Sequence, residues 1–84
     1  MTSTLTLKDQ LREIIAEHLR VSTTDLQEDV LLEATGLDSL AVAEIVVAAE
    51  QRLVRPIDTA RLSTRLTYQT TLGEFVDALA ATVS

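Results

Sequence analysis

The chain has 84 residues, 39 of them apolar, with no cysteine and one histidine. That length fits a single domain, residues 1–84. Such a domain must use its core efficiently, because no disulfide supports it and no thiolate is present to hold a structural zinc. Thirteen acids against seven bases give a net charge of −6, which excludes a protein that grips nucleic-acid phosphates with clustered Lys and Arg.

The longest apolar run, residues 45–49, is far short of the roughly 20 residues of a membrane span. No basic stretch followed by an apolar one opens the chain, so no secretory signal is visible and the cytoplasm is the expected location. The core is expected to be aliphatic: fourteen Leu, ten Ala, eight Val and four Ile, with Phe75 and Tyr68 as the only rings.

Two Gly and one Pro argue for helices over a many-turned β domain. The first helix is predicted from Thr6, which caps it, with Asp9 three residues on as a capping-box partner. Leu7, Leu11, Ile14, Ile15, His18 and Leu19 then recur at helical spacing. Residues 21–38 read as a long loop whose leucines pin it to the core, with a helical turn expected within residues 28–34. A loop of this length in a small domain is often functional.

The second helix is predicted from Ser39 to about residue 54. Asp38 or Ser39 caps it, Gly36 supplies the turn before it, and Pro56 stops it. Val42, Val46, Ala49 and Leu53 form one apolar row, and Leu40, Ala43, Val47 and Val54 form a second beside it. A helix apolar over most of its circumference, in so small a protein, implies an exposed patch. A short third helix is expected near residues 59–66. The last starts at Thr71, with Glu74 completing a capping box, and buries Leu72, Phe75, Val76 and Leu79. The expected fold is all-α: a small four-helix bundle of three main helices and a short third one.

The charge is segregated. Residues 21–51 hold Asp25, Glu28, Asp29, Glu33, Asp38, Glu44 and Glu50 and no Lys or Arg, whereas the remainder is close to balanced. Such a segment is either a solvated surface or a docking face for basic partners. It is not a calcium loop: an EF-hand frame started at Asp25 places Val30 where Gly is required and Gly36 where a bidentate Glu is required.

Groups that catalyse are missing. There is no thiol, no phosphate-binding Gly-rich loop, and one histidine, His18, with no assignable partner. What remains is Gly36-Leu37-Asp38-Ser39-Leu40. It reads as a helix start, and also as an exposed serine at the positive end of a helix, where an attached phosphate is favoured.

This segment, followed by Glu44-Ile45 and Glu50, resembles the signature of the acyl carrier protein family around its phosphopantetheine attachment serine. The resemblance extends over nearly the whole chain. It implies that Ser39 receives 4′-phosphopantetheine from coenzyme A, with Asp38 flanking the site, and that the arm's thiol carries acyl groups as thioesters. The implied partners are a phosphopantetheinyl transferase and an acyltransferase, ketosynthase or acyl-activating ligase with a basic docking surface, met by Leu40, Glu44, Val47 and Glu50.

A carrier that visits several active sites is expected to be a monomer, and the residues themselves point to no enzyme, metal, membrane or nucleic-acid partner. Gln51 and Arg52 follow Glu50 where more acids are common, and Arg61 and Arg65 lie beyond. These departures favour polyketide or related secondary metabolism. Thr35-Gly36-Leu37-Asp38 fits the acyl form better than the peptidyl form. The alternatives are an aminoacyl carrier or an unmodified acidic helical interaction module.

Overall fold

The computed structural model describes residues 6–67 and 69–83. The expectation that Tyr68 adds a ring to the core therefore lies outside the described residues, as does the start of the chain. Four α-helices follow one another: α1 (Leu7–Leu19), α2 (Ser39–Leu53), α3 (Thr59–Arg65) and α4 (Leu72–Thr82). α1 packs on α2 and α4, and α3 packs on α4.

The helix starts follow the local chemistry. Thr6 and Thr71 each form a complete capping box, with Asp9 and Glu74 respectively. Asp38 caps α2 by accepting the Ala41 N–H at 2.8 Å, and Asp58 caps α3 by accepting that of Arg61 at 3.1 Å. Each cap satisfies an amide that has no partner inside its helix. α2 ends before Pro56, through Val54 in a left-handed conformation (φ 53°).

The core is aliphatic around one ring. Leu11, Ile15, Ile45, Leu72, Phe75, Val76 and Leu79 are the largest fully buried side chains. At roughly 1.5–3 kcal/mol for each large side chain removed from water, these seven supply much of what opposes chain entropy. On α2 the first apolar row faces inward, with Val46 and Ala49 buried and Val42 and Leu53 half-buried; the second row is exposed.

The loop between α1 and α2 differs from expectation in one respect. Its helical turns are two short 3₁₀ segments: Leu32–Thr35, which overlaps the turn expected within residues 28–34, and Thr23–Asp25, which the sequence did not suggest. Ahead of Leu32–Thr35 lies a turn, closed by the Val30 N–H on the Gln27 carbonyl at 3.3 Å, that runs against the connection into α4. Leu72 donates to the Val30 carbonyl, Leu32 to that of Thr70 and Gly73 to that of Glu28, all at 2.9 Å. Leu31 and Thr71 thereby form an isolated antiparallel bridge. Of the leucines expected to pin the loop, Leu32 and Leu37 are buried and anchor it to the core, whereas Leu31 is exposed.

Gly73 lets the two stretches approach closely. A Cβ there would stand 3.1 Å from both the carbonyl oxygen and Cβ of Glu28. Arg12 clamps the same stretch from α1, with its Nε 3.2 Å from a Glu28 carboxylate oxygen.

Candidate functional site

The site is built where the long loop delivers the chain to α2. Gly36 takes φ 88°, a conformation that side chains disfavour, and turns the chain so that Leu37 enters the core while Asp38 and Ser39 stay outside. Ser39 is the first residue of α2. The Asp38 carboxylate bonds the Ala41 amide and the Asp38 carbonyl that of Val42. The amides of Ser39 and Leu40 find no partner among the described residues and sit at the positive end of a fifteen-residue helix.

The Ser39 side chain is exposed, and its hydroxyl makes no hydrogen bond to another described residue. Two clefts meet at it. One, of about 750 Å³, lies between the end of the loop (Glu33, Gly36, Leu37), the start of α2 and the end of α3. The other, of about 300 Å³, runs between α2 and α3 over Val42, Val46, Leu62 and Leu66. Ser39, Val42, Ser63 and Leu66 border both. The chemistry such a place supports is that of an attachment point: an accessible nucleophilic oxygen, unpaired amides and positive dipole suited to a phosphate, and an apolar trough alongside. No base stands on the serine, and no cluster of three or more His, Asp or Glu placed to hold a metal occurs among the described residues.

The other predicted residues separate into two settings. Leu40, Glu44 and Val47 are exposed on the outer side of α2, where Ala43, Glu44, Val47, Ala48 and Gln51 line a shallow groove of about 360 Å³. His18, for which the sequence offered no partner, is at the α1–α2 edge with Nε2 3.7 Å from a Glu44 oxygen, an ion pair once the imidazole is protonated. Glu50 is half-buried, and one of its oxygens accepts the Ile57 amide at 2.9 Å. It thus holds the α2–α3 connection, a role invisible in the sequence because its partner is a backbone group seven residues away.

Arg52 likewise does more than complement a helix dipole. It makes two hydrogen bonds to Glu17, at 2.7 and 3.0 Å, and approaches Glu13 at 3.8 Å. The bond from Arg52 holds the Glu17 carboxyl below the usual range, and the same bond raises the guanidinium.

Comparison with known sequences bears on this geometry. The family described as "Phosphopantetheine attachment site" matches residues 9–79, which include most of α1 and of α4 and everything between them. The chain belongs to that family. It is also similar to an acyl carrier protein of Sulfurovum sp. (strain NBC37-1), with 39% identity over 49 residues, 57% of this chain. The match spans 65% of that protein's length, just under two thirds. Family membership makes this a carrier domain, not an enzyme, and its cofactor 4′-phosphopantetheine, held covalently. The residues at the start of α2 fit that group: hydroxyl, free amides and clefts are all present at one point. Among the described residues no helix is long and apolar enough to cross a membrane.

Proposed function

We propose that Ser39 is the attachment residue and that the chain is an acyl carrier protein, shuttling acyl thioesters between partner enzymes in polyketide or related secondary metabolism. The observation that carries the reading is the exposed, unbonded Ser39 hydroxyl at the start of α2 and at the meeting point of two clefts. Ser39 Oγ forms a phosphodiester with the phosphopantetheinyl phosphorus of coenzyme A and displaces adenosine 3′,5′-bisphosphate. Its proton passes to a base on the transferase, since the neighbouring Asp38 carboxylate is engaged with the Ala41 amide and no described base is hydrogen-bonded to the hydroxyl. Once attached, the arm supplies a terminal thiol that holds acyl cargo.

The chain's own residues present and orient. Asp38 fixes the first turn of α2 and so the direction in which Ser39 points. Leu40, Glu44, Val47 and the outward oxygen of Glu50 form the face that meets the transferase and then an acyltransferase, ketosynthase or ligase, their carboxylates opposite Arg and Lys of the partner. The pathway reading is supported by the departures noted above: Gln51 and Arg52 on α2, and Arg61 and Arg65 on α3.

The test is intact mass after incubation with coenzyme A, magnesium and a broad-specificity phosphopantetheinyl transferase, with Ser39→Ala in parallel. The expected result is one phosphopantetheinyl group on the wild type and none on the variant. A folded wild type that gains nothing refutes the assignment and favours the unmodified interaction module. Gain on Ser39→Ala moves the attachment elsewhere.

A further inference from the structure

His18 is the titratable group that the carrier reading leaves without a task. It is the chain's one histidine and lies in the last turn of α1, where the negative end of the helix dipole favours a cation. Its Nε2 is 3.7 Å from a Glu44 oxygen, with the two side chains 31% and 56% exposed. Glu44 stands on α2, so the pair bridges two helices. The Glu44 carboxylate has no other partner among the described residues.

The surroundings leave Glu44 as the counter-charge of this imidazole. A cleft of about 260 Å³ lies between α1 and α2, lined by Ile14, Glu17, His18, Ile45, Ala48 and Arg52. Glu17 and His18 are neighbours on α1, yet they reach α2 at Arg52 and at Glu44, eight residues or roughly 12 Å apart. Arg52 is the cation on the cleft, and Glu13 and Glu17 engage it. Glu17 is committed in return by two hydrogen bonds from Arg52. Arg20 follows beyond the end of α1 and joins no ion pair of the described residues. α4 and the first 3₁₀ segment also pack on α1, but neither places a charged side chain on the cleft. Asp25 lines a different hollow, with Leu19 and Val21.

We propose that His18 is a positioning residue that acts through Glu44 and makes docking there sensitive to protons. Histidine is the side chain that changes charge between about pH 8 and pH 5. With the imidazole neutral, Glu44 offers its full charge to an Arg or Lys of the partner. With it charged, the imidazole draws the carboxylate toward α1, and its own charge opposes the incoming cation. A cation hydrogen-bonded to Glu44 stands roughly 7 Å from Nε2. Two like charges at that separation in water repel by about RT, a factor of about three in affinity. So exposed a pair adds little to stability, and its effect is read in docking rather than in melting.

This inference rests on the readings of Ser39 as the attachment residue and of Glu44 as a docking carboxylate, and the experiment tells their failures apart. Transferase KM is measured at low salt from pH 8 to pH 6 for the wild type, His18→Gln, His18→Lys, Glu44→Gln and the double variant His18→Gln, Glu44→Gln. One transferase serves throughout, so its own titration cancels in the ratios. The wild-type KM is expected to equal that of His18→Gln at pH 8 and to exceed it two- to threefold at pH 6, with kcat within twofold. His18→Lys, charged throughout, shows about the threefold excess at both ends. A purely structural role for His18 would shift KM alike at every pH.

In the Glu44→Gln background the pH-dependent ratio disappears. A ratio that stays constant with pH in the wild-type background overturns the proposal, and so does one that persists undiminished without Glu44. If Glu44→Gln leaves KM unchanged at pH 8, the docking role of Glu44 fails and this inference with it. If the wild type takes no phosphopantetheine at any pH, the Ser39 reading fails and both fall.

Discussion

Replacing Glu50 separates its charge from its hydrogen bond. One carboxylate oxygen accepts the amide of Ile57, a residue 5% exposed. Ile57 in turn bridges to Val83, and the next amide, that of Asp58, bonds the Thr82 carbonyl at 2.9 Å. The connection from α2 to α3 is thus held from both sides at this point. Glu50→Ala removes the acceptor and leaves a buried N–H unpaired, which costs about 1–3 kcal/mol. The better helix propensity of alanine returns a few tenths. Taking ~1.5 kcal/mol net, and roughly 4–8 °C per kcal/mol for a domain this size, the melting temperature falls by roughly 6–12 °C.

Glu50→Gln keeps an oxygen that accepts and loses only the charge assistance, so it melts within about 4 °C of the wild type. Circular dichroism at the helical band measures both. The two variants remove the same charge, so an equal rise in transferase KM, read below both transitions, assigns the effect to docking. Coincident melts for alanine and glutamine would refute the argument that this hydrogen bond holds the connection.

Two further outcomes follow from the loop and from the ion pairs. Gly73→Ala gains about 1 kcal/mol of helix propensity yet is expected to be less stable, by about 1 kcal/mol net in urea titration. Glu28, which the new methyl would strike, is fixed by its bonds to Gly73 and Arg12. A more stable variant would show that the loop gives way freely.

Acid should weaken the fold through Asp9 and Glu17, both held below the ordinary carboxylate value, the first by the Thr6 cap and the second by Arg52. A depressed folded value means that the contribution is complete above the unfolded carboxylate value and is lost as pH falls through the folded one. The urea midpoint is therefore flat from about pH 8 to pH 5 and drops below about pH 4. A double variant Asp9→Asn, Glu17→Gln loses part of that drop, and an unchanged acid limb would exclude these two groups as its cause.

The sequence made legible what depends on neighbours within a turn or two. Thr6 with Asp9 and Thr71 with Glu74 announced two helix starts, and Asp38 with Gly36 announced the third. The apolar period then placed Ile15, Ile45 and Phe75 inward. The serine and its setting followed from the same local reading, and so did the surplus apolar row on α2. What escaped depends on groups far apart in the chain or on backbone partners. Residues 28–32 carry no periodic signal, and bonds to Thr70, Leu72 and Gly73 place them. Glu50 and Arg52 look like surface charges until the Ile57 amide and Glu17 are beside them. Val54 was counted as one more member of an apolar row; only its backbone angles mark it out.

The bonds that join residues 28–32 to residues 70–73 also impose an order of assembly. They connect positions roughly forty apart in sequence, the least local contacts of the loop. α1 and α2 contain their own backbone bonds, whereas residues 28–32 of the loop between them are held by residues 70–73. Non-local contacts of this kind form late because the intervening chain must be closed first. During synthesis the serine therefore emerges long before its frame exists, and a chain cut short ahead of residue 70 carries the hydroxyl without the loop geometry that presents it.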